Sequence, residues 1–425
     1  MAPPTTFSPV EGREIWLARE ATPGTLASTL TFPWALTSFK DSNKPTWIED
    51  ESFQGAMGDV YGVYQGPEIA SWDAGGHVFS DTIGLPLWGA LGDYTATGVA
   101  GTATTLTAAV TAGATTATVA AITGMSSGSS IQLGATADGN PEIVTLSAAP
   151  SGSTITFANT PARFAHASGK SATVVTAPYT HVFAVLNGLG GVPGGAPGQP
   201  PTLSAWHMDG LAANGGNAYA YSCISELAFT GNADKLLDFT TKATCVVRQS
   251  PAAQLAGTVV SSELATPSWR TVVGIGGPAS GGTQVKDVGE HVITITRQVK
   301  PLNTEQGAQA PYVIARGKQG CTGKITLSPA IDDSALTALL ANTQPQLQFL
   351  TSNGASGASL RSLQFDILLA AYKTADEQDG AELFGYEIDW TGVHTSESSG
   401  GITTTGASGL KGAIKATLVN AVPTY

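Results

Sequence analysis

Residues 75–94 read GGHVFSDTIGLPLWGALGDY, and the change of rhythm inside this stretch decides the fold. Strand-like residues run into an apolar block that is broken by Gly84, Pro86 and Gly89. A helix that crosses a membrane needs about 20 mostly apolar residues in a row. This block is shorter and carries Asp81, so the stretch predicts a strand that turns into one short helical segment, from about Leu85 to Leu91.

Working outward, the chain has 425 residues, enough for more than one core, although β-rich domains often exceed 200 residues as one unit. Charged residues are only 12% of it and glycine is 51 of 425, a composition that predicts many short strands and turns with a neutral hydroxyl and amide surface. The formal net charge is −12. Residues 1–100 hold 12 acids against 4 bases, so −8 of it lies there. That sign excludes a surface that grips nucleic acid through phosphate contacts, but not one that nucleic acid passes without sticking.

Cys223, Cys245 and Cys321 are odd in number and form no C-x-x-C pair, which suits small buried side chains better than a disulfide framework or a zinc site. No basic n-region or apolar h-region opens the chain, so no secretory signal is expected. Residues 98–122 are uncharged over 25 positions, yet eight are threonine, and the alternation about TAGAT predicts two strands and a turn instead of a membrane span.

Texture divides the chain in three. Residues 1–98 are aromatic and acidic. Residues 99–178 lack tryptophan and repeat short Thr/Ser/Val/Ile strands between turns such as SSGSS, ADGNP and APSGS, which predicts an inserted small all-β sandwich or barrel. The aromatic texture resumes over 179–425, with a Gly/Pro-rich loop at 188–202. In 384–390, Phe384, Tyr386, Ile388 and Trp390 alternate with Gly385, Glu387 and Asp389, which predicts a half-buried strand. The best second helix is DDSALTALLANT, capped by Asp332 or Asp333, with Leu336, Leu339 and Leu340 on one face.

Motifs for chemistry are weak. GMSSG at 124–128 fits G-x-S-x-G around Ser126, but a strand follows where the nucleophile turn needs a helix. GIGGPA at 274–279 lacks the helix that a dinucleotide loop must open, so a hairpin loop is expected. TADEQDGAE at 374–382 places Asp376, Asp379 and Glu382 near one another without EF-hand spacing and predicts a solvated hairpin tip. The six histidines form no metal-binding pair, and Glu49, Asp50 and Glu51 in WIEDESF are expected at a solvated strand end. No catalytic, cofactor or metal residues are assigned.

The first hundred residues, with the early EATPGT turn, the acidic strand near 48–53 and the glycine-bearing strand that enters DTIGLPLWGALG, resemble the major tail tube proteins of long-tailed phages with non-contractile tails. RTVVGIGG, HVITITRQVKP and the C-terminal strands look like the rest of such a subunit. The resemblance implies a mostly β fold: a β-sandwich with a short flanking helix, built into six-membered rings that stack as a tube for DNA passage. It implies a tape-measure protein and a tail terminator as partners, DNA transit without specific binding, no membrane, and residence in the virion tail after assembly in the host cytoplasm. It also implies packing of Leu85, Leu87, Trp88 and Leu91 on the sheet. Glu49, Asp50, Glu51 and Asp59 become candidates for an acidic lumen or a ring interface, and the insertion an outward knob. Rival classes are a glycan-binding β-sandwich, a hydrolase using Ser126, and a different phage structural component such as a head decoration protein.

Overall fold

The structure, a computed structural model, describes residues 13–27, 32–52, 60–135, 140–186, 199–208, 216–252, 261, 263–305, 307–328, 334–379, 384–394, 402–406 and 412–425. Strands β1 (Glu14–Arg19), β2 (Phe32–Pro33), β3 (Ser38–Asp50) and β4 (Gly62–His77) precede helix α1 (Gly84–Leu91). The long β5 (Gly92–Thr105) then leads into β6 (Thr116–Thr118), β7 (Ser130–Leu133), β8 (Glu142–Thr145) and β9 (Thr154–Thr156), and β10 (Ser171–Val185) leads back. After β11 (Leu203–Met208), β12 (Gly216–Asn232), β13 (Asp238–Cys245) and β14 (Gln249–Ala252) come β15 (Thr271–Ile275), β16 (Gln284–Val285), β17 (Val288–Leu302) and β18 (Val313–Leu327). Helix α2 (Ser334–Leu340) is followed by β19 (Leu347–Ser352), β20 (Ser362–Ile367), β21 (Ala370–Asp379), β22 (Phe384–Gly392) and β23 (Ile414–Asn420). The fold is mostly β, as expected.

Two antiparallel sheets face each other. One runs β2-β1-β11-β12-β17-β18-β22-β21, with β3-β4-β13 attached through β12; the other runs β16-β15-β19-β20-β23-β10-β7-β8, with β5 beside β10. Their inner faces meet through Phe229 against Phe365, with ring centres 4.7 Å apart, and His291 against Phe349 at 5.3 Å. Tyr386, Ile388 and Trp390 of β22 are all buried, so the alternation in 384–390 is the pleat of a strand with one face in the core.

All eight residues of α1 are buried. Burying Leu85, Leu87 and Leu91 contributes about 1.5–3 kcal/mol each, and Trp88 donates from Nε1 to Gly92 O at 3.0 Å. The helix brings no basic residue to its own last turn. Arg297 of β17 supplies one from outside, donating to Ala90 O and Leu91 O at 3.1 and 3.3 Å, where helix carbonyls lack partners. The chain leaves through Gly92 at φ 98°, a backbone state that favours glycine.

The glycines inside α1 serve close approach. A Cβ on Gly84 would lie 2.2 Å from the Tyr425 ring. That ring cannot swing away, because Tyr425 Oη donates toward Ser80 O (3.2 Å) and Asp81 O (3.1 Å) and receives Asn420 Nδ2 at 2.6 Å. Gly84→Ala is therefore expected to destabilise by about 2 kcal/mol through overpacking, read as a lower denaturant midpoint at unchanged slope. An unchanged midpoint would mean that the 420–425 segment is not held against the helix.

The segment 99–178 has its own buried cluster, including Val119, Ile131, Leu133, Ile155 and Phe157. It is not hung on a thread. β5 and β10 run from the body into it, and β7 and β8 extend the second sheet; within it β6 and β9 form a separate pair. Arg163 fixes the junction. Its guanidinium lies 4.6 Å from the Trp88 ring centre, 4.8 Å from Tyr94 and 4.9 Å from Phe164, and Nη1 donates to Tyr94 O at 2.6 Å. Buried Glu142 accepts from Arg163 N, Phe164 N and His166 Nε2 at 2.7, 3.1 and 2.8 Å, which holds that loop against the body.

Within LRSLQFDILLAAYK the chain leaves the second sheet at Ile367 and enters the first at Ala370, because an apolar run is compatible with burial in either sheet. Two expectations change. In α2 it is Ala335 that is buried, whereas Leu340 is 78% exposed, so the leucines do not form a common buried face; the capping candidates Asp332 and Asp333 lie outside the described residues. The acidic run begins as strand, not as a tip: Asp376 pairs with Glu387 and Glu377 with Tyr386, while residues 380–383 lie outside the described residues. The glycine-rich loop 188–202 is likewise outside them up to residue 198.

Candidate functional site

Strands β3 and β4 are longer than the sheet that supports them. Over Ser38–Asn43, β3 pairs with Gly75–Ala70 of β4, which is itself backed by β13 as far as Cys245↔Ala70. Beyond that point β13 has ended. Among the described residues, 47–50 and 62–65 pair with each other and with no third strand, and they leave the body as a two-stranded ribbon. Pro45 sits at the register shift between Pro45 and Trp47, and Thr46 Oγ1 donates to Pro67 O at 2.9 Å, which pins the start of the projection.

The ribbon is apolar on both faces. Ile48 and Tyr64 are directly paired, and glycines 62 and 66 leave room for them: a Cβ on Gly66 would meet Ile48 Cδ1 at 3.2 Å, and one on Gly62 would meet the Tyr64 hydroxyl at 2.9 Å. Trp47 and Val63 occupy the opposite face, since side chains alternate along a strand. Trp47, Ile48, Val63 and Tyr64 are 54–60% exposed. Trp47 and Tyr64 point to opposite sides, so they do not form the side-by-side aromatic platform that stacks on a sugar ring.

The β17–β18 hairpin reaches the same end, where Leu302 pairs with Val313. Its tip meets the ribbon directly: Glu68 N donates to Gln309 O at 2.9 Å and Gln309 Nε2 to Gly66 O at 3.2 Å. Leu302 and Tyr312 are exposed there. Of the twelve large apolar side chains that the described residues expose, seven (Trp47, Ile48, Val60, Val63, Tyr64, Leu302 and Tyr312) lie at this one end. An isolated two-stranded ribbon is marginal in water and its open edges invite pairing. Large apolar side chains gathered in this way at one end mark a contact with another macromolecule.

The acidic candidates sit on the same ribbon. Glu49 and Glu51 are exposed, and bonds from the Ser52 hydroxyl and from Ser52 N (3.0 Å) hold the Asp50 carboxyl below the usual carboxylate range. Asp59 lies outside the described residues. Leu85, Leu87, Trp88 and Leu91 are in the interior, 0–1% exposed, and take no part in this surface. The apolar members Trp47, Ile48, Val63 and Tyr64 were not singled out from the sequence. A signal was present, because TWIED and VYGVYQG place large apolar residues on both faces of strands that also carry acids.

Elsewhere, Ser126 is in an exposed turn with Oγ 3.1 Å from Ser129 Oγ. Imidazoles are bound within the fold, as in His77–Asp238 at 2.6 Å and His207–Asp41 at 3.4 Å. Among the described residues no group of His, Cys, Asp and Glu could hold a metal ion, and no helix is long and apolar enough to cross a membrane. The three cysteines are buried and free, and burial pushes the Cys223 thiol up to about 12. No family model and no curated protein matches the chain.

Proposed function

We propose that the chain is a structural subunit of a phage tail tube, and that the two projecting hairpins are the surface through which copies of it join. The observation that carries this reading is the β3–β4 ribbon, which projects past the end of β13 with large apolar side chains on both faces and is bonded near its base to the tip of β17–β18. A neighbouring copy would cover that surface and pair its edges, as a closed ring of strands removes edges that a large β-protein must otherwise protect. The hexameric ring, the tape-measure and terminator partners, and passage of DNA through the lumen follow from the resemblance in the first hundred residues. The net charge of −12 suits a conduit that repels phosphate. Glu49, Asp50 and Glu51, set beside exposed Trp47 and Ile48, are better placed for a ring interface than for an open lumen wall.

Electron microscopy of the purified protein over a concentration series tests this. Hollow rings or striated tubes are expected for the natural chain, and dispersed, folded subunits for the Trp47→Ser/Tyr64→Ser variant. Monomers of the natural chain at every concentration, together with binding of an oligosaccharide, would overturn it in favour of a glycan-binding β-sandwich.

A further inference from the structure

A second apolar patch lies at the other end of β4. Leu264 is 91% exposed and Trp269 64%. They belong to a segment that closes the far end of the β4–β13 pair: Val78 N donates to Leu237 O (2.8 Å), Leu237 N to Thr266 O (3.0 Å), and Ser268 N to Lys235 O (2.9 Å). The single helical turn Ser268–Arg270 buries Ser268 and turns Trp269 outward. Since β4 spans Gly62–His77, the ribbon and this patch are separated by about 50 Å of strand.

The patch is held firmly and carries a cation. Arg270 lays its guanidinium 4.7 Å over the Trp269 ring and donates from Nη1 to Asn353 O at 2.6 Å, so it engages a backbone carbonyl instead of a carboxylate. Two acids near it are engaged within the fold: Glu263 with Arg361 at 2.6 Å and Asp238 with His77 at 2.6 Å. The ribbon offers the opposite character, with Trp47 and Ile48 next to Glu49, Asp50 and Glu51. Apolar surface with a cation at one end of a strand therefore faces away from apolar surface with three carboxylates at the other.

We propose that the Leu264–Trp269–Arg270 patch is the socket for the β3–β4 ribbon of a second copy of this chain. Because the two patches lie at opposite ends of β4 and face away from each other, a contact between them is heterologous and propagates into rings or filaments. Placed at opposite ends of β4, they join copies head to tail along the strand direction. The exposed indole is the anchor of the socket, since tryptophan and arginine dominate the energetics of such contacts, and the carboxylates choose the orientation through Arg270.

This inference rests on the reading of the chain as a self-assembling subunit, and its test separates the two. Sedimentation velocity and electron microscopy would compare the natural chain with Trp269→Ser, Arg270→Glu, Glu49→Lys/Glu51→Lys, and the last two combined. Trp269→Ser leaves the fold intact because its side chain is mostly solvent-facing, and is expected to weaken assembly about 10-fold or more. Each charge reversal weakens assembly alone, and the combination restores it. Assembly of Trp269→Ser and Arg270→Glu at the natural concentration would overturn the socket and leave the tube subunit standing. Failure of the natural chain to assemble at any concentration would remove both.

Discussion

Between pH 6.5 and pH 4 the fold is expected to lose about 6 kcal/mol of stability through two buried histidines. His181 is wholly enclosed and His291 is 5% exposed, and burial lowers each imidazole from 6.5 to about 4. For His181, bonds to Asn420 Oδ1 and Val422 O oppose that shift without cancelling it; His291 stacks on Phe349, and its shift comes from burial. In the unfolded chain both bind a proton near pH 6.5, whereas in the folded chain they stay neutral until about pH 4. Throughout that window the unfolded state holds more protons, so stability falls as pH falls and levels off below it. Each histidine contributes about 3 kcal/mol. Asp41, held far below the usual carboxylate range by its bond to His207 and the hydroxyl of Tyr219, extends the loss to lower pH. Glu20, whose carboxyl burial pushes up, acts in the opposite sense. Denaturant unfolding at pH 7 and pH 4 measures the effect, and His291→Leu should remove about half of it. The same pH dependence in the natural chain and in His291→Leu would show that this ring is not enclosed.

Glu20→Ala is expected to cost about 4 kcal/mol. Glu20 is 4% exposed and gathers four donors: Gly24 N at 2.8 Å, Tyr221 N at 2.7 Å, and the hydroxyls of Thr202 and Ser204 at 2.7 and 3.0 Å. Two of these decide the backbone. Gly24 closes the turn in EATPGT at φ 83°, and Tyr221 stands at φ 54° where β12 changes register and passes from pairing with β11 to pairing with β13 and β17. A tyrosine in the left-handed region is costly unless something fixes it, and the Glu20 carboxylate accepting its amide does so. Removing the side chain leaves four enclosed donors without their acceptor. Glu20→Gln keeps the shape but turns an N–H group toward donors, and should lose about half as much. Chemical denaturation followed by tryptophan fluorescence reads both. A loss below about 1 kcal/mol for the alanine variant would show that water replaces the carboxylate at this bend.

Much of the architecture was legible because it is local. Period-two alternation in 384–390 specifies a strand with one buried face, and GLPLWGAL between strands specifies a short helix, since its apolar residues are too few and too punctuated for any other element. The recurring turns of 99–178 mark out strands β6 to β9 for the same reason. Free, buried cysteines also follow from number and spacing. The acidic trio at 49–51 was visible as charge, but not its setting.

What only the tertiary structure decided is which surfaces those strands leave uncovered and which distant residues meet. Leu340 has the sequence of a packed leucine and faces solvent, while Glu20 has the sequence of a surface turn and lies enclosed by residues up to 201 positions away. The ribbon projects because β13 stops at Cys245 while β3 and β4 continue, a difference in strand lengths across a sheet whose order no local period records. Arg163 reads as one of few charges in a neutral segment and is in fact boxed by Trp88, Tyr94 and Phe164. Alternation and turn chemistry act over a few residues and so determined the elements from the sequence alone. Partner, edge and exposure depend on contacts between elements far apart in the chain, and these exist only once the two sheets have closed on each other.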